Sequence, residues 1–131
     1  MKVTNMFKFI MTISLVLCFS QIALSQRWIS GNWKGKGRET VSRETWSMKL
    51  NVQGGKFLVK YPSLRCGGEW KLIKFNNYKA SFKENIKFNR KACEPTGNVF
   101  IKRLSNKQLL FTYSYNYSPQ VAASAILIGT R

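Results

Sequence analysis

From Trp46 onward the chain alternates. Trp46, Met48, Leu50 and Val52 share one parity, and Phe57, Val59 and Tyr61 share the next after a Gln53-Gly54-Gly55 turn. Trp70 and Leu72 follow the Cys66-Gly67-Gly68 corner. Ala80, Phe82, Glu84, Ile86 and Phe88 then lie on one face, with Lys79, Ser81, Lys83, Asn85 and Lys87 on the other. Val99 and Ile101 alternate with Asn98 and Lys102, and Leu109, Phe111, Tyr113 and Tyr115 with Leu110, Thr112, Ser114 and Asn116. Ala123, Ala125 and Leu127 close the series. A strand turns successive side chains to opposite faces, so a period of two with one apolar face specifies half-buried strands. No segment sustains a helical period.

With an opening strand near Trp28 to Gly37, this makes eight strands, most of them joined by short turns. Such a chain forms an antiparallel meander. The expected fold is all-β: an eight-stranded up-and-down meander forming a closed or nearly closed barrel, which removes exposed sheet edges. A two-sheet sandwich is the alternative, and alternation alone does not separate the two. A three-residue Asn76-Asn77-Tyr78 loop fixes one register. It sets Leu72 opposite Phe82 and Trp70 opposite Glu84 inside, with Lys71 opposite Lys83 and Ile73 opposite Ser81 outside. A two-residue loop would put Lys71 against Phe82 and break the pattern. The same register brings Cys66 opposite Phe88.

The chain has 131 residues, enough for one core. Residues 1–25 read as a secretory signal: Lys2 and Lys8, an apolar run from Phe9 to Phe19, then Ala23-Leu24-Ser25 before the cleavage point. The run is short of the roughly 20 apolar residues that a membrane span needs. The folded domain is then 26–131, secreted to the extracellular space or a periplasm, with no membrane-spanning stretch. Removing Cys18 with the leader leaves Cys66 and Cys93, which in an oxidising compartment are expected to form a disulfide.

The stretch from Tyr61 to Leu72, Tyr-Pro-Ser-Leu-Arg-Cys-Gly-Gly-Glu-Trp-Lys-Leu, is joined by Phe82-Lys83-Glu84-Asn85-Ile86, then Cys93 and Gly97-Asn98-Val99. Together they resemble a small β-module of secreted bacterial proteins, also appended to larger signalling proteins, with the pattern Tyr-Pro-Ser-x-x-Cys-Gly-Gly and Phe-x-Glu-x-Ile. The Trp33-x-Gly35 opening is loosely similar to lipocalin-type barrels. The resemblance covers about half the folded domain, residues 57 to 113. It implies a disulfide-bearing β-fold and no known activity.

There is no His and no Asp, and the five carboxylates are Glu39, Glu44, Glu69, Glu84 and Glu94. This excludes a Ser-His-Asp or Cys-His centre, a His-ligated metal and an aspartyl pair. Glycosidase chemistry needs two carboxylates at a set spacing, and Glu69 faces outward by parity. The expected protein is non-catalytic, without cofactor or metal.

The formal charge is +17, and losing a leader with two lysines leaves +15. Lys71, Lys79, Lys83, Lys87 and Lys102 have outward parity, and Arg90 and Lys91 extend them into the loop before Cys93. Like charges across a strand pair destabilise, so these seven residues are the candidate surface for an anionic polymer or acidic protein. A merely solvated basic face is the competing reading. Nucleic acid is not expected: most aromatics point inward, which leaves few rings for bases to stack on.

Glu84 has inward parity and needs a partner when buried. Arg103 and Arg131 share that interior parity and are the candidates, so Glu84→Gln is expected to lower thermal stability by breaking an ion pair. Glu84 as a ligand-anchoring carboxylate in a barrel mouth is the alternative. Tyr113, Tyr115 and Tyr117, with Trp33, Trp46 and Trp70, either fill the core or line a cavity for a small apolar or sugar ligand, as in a lipocalin-like carrier.

Overall fold

The computed structural model describes residues 27–130. The proposed leader and Arg131 lie outside the described residues. Eight strands follow one another: β1 (Gly31–Glu39), β2 (Thr45–Gln53), β3 (Lys56–Tyr61), β4 (Cys66–Phe75), β5 (Lys79–Phe88), β6 (Thr96–Ser105), β7 (Gln108–Ser114) and β8 (Ala123–Gly129). Each pairs antiparallel with the next, and β1 pairs with β8 to close the barrel. Closure excludes the sandwich.

The interior is set by the alternation. Met48, Leu50, Val59, Phe82, Ile86, Val99, Ile101, Leu109, Phe111 and Leu127 are all almost wholly buried. Trp70 stacks on Phe111 at 5.7 Å between ring centroids and tilts against Phe82 at 5.3 Å, while Trp46 meets Phe111 edge-on at 6.0 Å. Aromatic side chains thus occupy the barrel axis. A small barrel has an interior just wide enough for its own side chains to fill. Apolar groups point in and lysines point out, the reverse of a barrel that faces lipid. No helix among the described residues is long and apolar enough to cross a membrane.

Three sequence expectations are corrected. The first strand begins at Gly31, not near Trp28, because Arg27–Ile29 form a 3-10 turn instead. That turn caps one end: Ile29 is fully buried, its carbonyl accepts from Trp33 Nε1 at 2.8 Å, and Trp28 stacks on Phe75 at 5.2 Å. The β4–β5 register holds for Trp70–Glu84, Lys71–Lys83 and Leu72–Phe82, then slips, so that Lys74 rather than Ile73 faces Ser81 and Phe75 faces Ala80. An extra residue in one strand reverses the parity of the residues beyond it. Phe75 therefore turns toward the core although simple alternation sends it outward. A second irregularity sets Gly67, not Cys66, opposite Phe88. The Phe88 ring lies over Gly67, where a Cβ would collide with it, and Phe88 is left half exposed.

The loops at residues 40–44, 62–65, 89–95 and 115–122 gather at the end opposite the 3-10 cap. This end is the mouth. Gly37 lies opposite Trp46 just inside it, and a Cβ at Gly37 would overlap the indole ring. Gly37→Ala should therefore destabilise by about 1–3 kcal/mol, as overpacking of a filled core does. Equilibrium denaturation reads the loss, and an unchanged midpoint would show that Trp46 has room to move.

Candidate functional site

Two regions carry the polar chemistry: the outer lysine rows and the mouth. Pairing places lysines directly opposite one another four times, as Lys34–Lys49, Lys49–Lys60, Lys71–Lys83 and Lys79–Lys102. The first two share Lys49, so Lys34, Lys49 and Lys60 form one row across β1, β2 and β3. Neighbouring strands lie about 4.8 Å apart, so this row puts three ammonium-bearing stems within roughly 10 Å of barrel wall. Each opposed pair destabilises by some tenths of a kcal/mol. Among the described residues no cation is paired with a glutamate.

Two outer grooves run beside these lysines. One, of about 730 Å³, is bordered by Lys34, Lys49, Lys60 and Lys87, with Leu58 and Phe88 as its apolar part and Glu69 as its one carboxylate. The other, of about 760 Å³, is bordered by Lys74, Lys79 and Lys102 with Phe100 and Leu110. The seven residues singled out from the sequence are therefore spread. Lys79 and Lys102 border the second groove, and Lys87 borders the first. Arg90 and Lys91 are exposed in the loop that follows β5. Lys71 opposes Lys83, whose ammonium donates to Asn98 Oδ1 at 3.1 Å and to Asn116 Oδ1. Along one strand, every fourth residue is about 13 Å from the last, so Lys79, Lys83 and Lys87 span β5 rather than clustering on it. The row formed by Lys34, Lys49 and Lys60 was not found in the sequence, where those lysines lie in three separate segments.

At the mouth, Glu84 is 3% exposed. Its Oε2 accepts from Tyr61 Oη and from Trp70 Nε1, the latter at 2.8 Å. These two neutral donors take the place expected for an arginine. Arg103 is half-buried, and its guanidinium donates to Asn106 at 2.5 Å. It lies six residues along β6 from Gly97, which faces Glu84. That is about 20 Å of strand, toward the opposite end of the barrel. Arg131, the other candidate, is outside the described residues.

Burial lifts the Glu84 carboxyl above its ordinary value, and the bonds from Tyr61 and Trp70 pull the other way without cancelling it. Burial also pushes the Tyr61 phenol far up, with the adjacent Glu84 carboxylate adding to the effect. Tyr113 is raised by burial and then by Glu84 and Glu94. Tyr115 is raised by burial and then by Glu39.

Tyr113 lies across Gly97, where a Cβ would collide with its ring, and its hydroxyl donates to the Thr96 carbonyl at 3.2 Å. Tyr115 meets Tyr113 edge-on at 5.5 Å and stacks flat on Tyr117 at 5.3 Å. The stripe thus divides. Tyr113 and Tyr115 border the mouth, while Tyr117 is 79% exposed. Trp33, Trp46 and Trp70 are core. Cys66 and Cys93 are joined across 27 residues, tying the loop at 89–95 to the start of β4. The space left at the mouth is about 300 Å³. It is walled by the loops after β1, β3, β5 and β7.

The chain matches no protein-family model, and neither a curated protein nor a solved structure matches it.

Proposed function

We propose that this is a secreted, non-catalytic binding module whose basic outer wall takes an anionic polymer. The observation that carries this reading is the in-register row Lys34–Lys49–Lys60, with Lys87 bordering the same groove. A sheet that opposes lysine to lysine with no glutamate between them raises its own electrostatic energy, and a polyanion laid along the row lowers it. Leu58 and Phe88 add apolar contact within reach of the charges. The disulfide and the absence of a membrane-crossing helix among the described residues are compatible with an extracellular location.

Binding of this kind is screened by salt, with a Debye length of about 8 Å at physiological ionic strength. The protein should be retained on a sulfated-polysaccharide resin and elute only well above physiological salt. The triple variant Lys34→Gln, Lys49→Gln, Lys60→Gln should elute much earlier, with a flatter dependence on salt. Changing Lys71 and Lys83 in the same way should have the smaller effect. Elution of the unmodified protein near physiological ionic strength, or equal retention of the triple variant, would contradict the assignment.

A further inference from the structure

The pocket in the mouth has an acidic lining, although the loops around it also carry Arg43, Arg65, Arg90 and Lys91. Four of the chain's five carboxylates, Glu39, Glu44, Glu84 and Glu94, border one pocket, and among the described residues no lysine or arginine does. Three come from loops or strand ends and crowd the rim, while Glu84 forms the floor.

The floor carboxylate is half used. Both of its hydrogen bonds end on Oε2. Oε1 has no partner, yet it is not sealed in the core, since no buried side-chain oxygen among the described residues is left without one. On a side chain 3% exposed that borders the pocket, the only open direction for this oxygen is the pocket itself. Tyr61 Oη and Trp70 Nε1 hold the carboxylate in place from the other side, which leaves Oε1 aimed and rigid.

We propose that the mouth binds a small alkylamine, with its ammonium on Glu84 Oε1, its hydrocarbon stem against Trp46, Phe111 and Tyr113, and any second ammonium among Glu39, Glu44 and Glu94 at the rim. An ammonium supplies both the hydrogen-bond donor and the charge that Oε1 lacks, and such charge-assisted bonds are stronger than neutral ones. Aromatic faces attract the same cation. The volume of about 300 Å³ suits a small molecule and not a polymer. A bare metal ion fits less well: no three His, Cys, Asp or Glu side chains among the described residues converge closely enough to hold one. This site is distinct from the outer lysine wall and stands or falls without it.

The test uses cadaverine and, as an uncharged five-carbon comparison, 1-pentanol, followed by calorimetry and by the ring resonances of Trp46 and Tyr113. Cadaverine should bind saturably with one molecule per chain and shift those resonances, and 1-pentanol should not. Glu84→Gln, which keeps an acceptor for Tyr61 and Trp70, should weaken cadaverine at least about tenfold, in line with loss of a charged partner. Glu94→Gln, at the exposed rim, should weaken it about two- to threefold, the scale of a solvent-screened charge. Retention of both variants on the sulfated resin should match that of the unmodified protein. No saturable binding of cadaverine, equal binding of 1-pentanol, or equal affinity in Glu84→Gln would overturn the proposal.

Discussion

Replacing Glu84 with alanine should cost the domain about 3–5 kcal/mol, because it leaves two buried donors without an acceptor and opens a cavity beside them. The donors are Tyr61 Oη and Trp70 Nε1, both on side chains at most 5% exposed. Glutamine should behave differently. Its amide oxygen can take both bonds while its NH₂ replaces Oε1 on the pocket side, so no buried donor is orphaned and the charge that burial penalises is gone. At neutral pH, Glu84→Gln should therefore be about as stable as the unmodified protein or slightly more so. This reverses the sequence-based expectation, which rested on an arginine partner.

The same pair of proteins has a signed pH dependence. The folded-state pKa of Glu84 lies above its unfolded value of about 4.5. The carboxyl's contribution to stability is then complete below that value and is lost as pH rises through the folded-state value. The stability of the unmodified protein relative to Glu84→Gln should fall over that interval. Thermal unfolding of both proteins at a series of pH values measures it. A difference that grew with pH would mean that the ionised carboxylate is stabilised in the fold after all.

Removing the disulfide should be about as costly. The bridge closes 27 residues, and the chain-entropy relation gives about 3.5 kcal/mol for a loop of that size. For a domain of this size, each kcal/mol shifts the melting point by roughly 4–8 °C. The double variant Cys66→Ser, Cys93→Ser should melt lower by that scale, and reductant should lower the melting point of the unmodified protein but not of the variant. Beyond stability, the bridge holds the loop that carries Glu94 against the mouth. Cadaverine binding should thus weaken on reduction even at temperatures where the barrel stays folded. Equal melting points with and without the bridge would show that the 66–93 link adds no constraint beyond the strand pairing.

Much of this architecture is legible in the residues. The parity of Met48, Leu50 and Val52, and of Phe82 and Ile86, places them in the core because a pleated strand has only two faces. The pairs Trp70–Glu84 and Lys71–Lys83 come from a loop length, because only one register keeps apolar residues together. Phe75 escaped that logic, since the slip at Ile73 leaves no mark in the alternation. Tyr61 escaped it too. It faces Cys66 across its own strand pair, so its contact with Glu84 runs through the barrel interior and not along a ladder.

Local chemistry along the chain determined that this protein is a β-meander with an apolar inner face, a disulfide pair and an excess of outward lysines, because period and parity are properties of neighbouring residues. Strand register and the closure of β8 onto β1 decided the rest. The β1–β2 and β2–β3 registers set Lys34, Lys49 and Lys60 in one row, and the closed barrel gathered Glu39, Glu44 and Glu94 around Glu84 at one end. Those residues are far apart in sequence, and only the curvature and register of a closed sheet fix the distances between them.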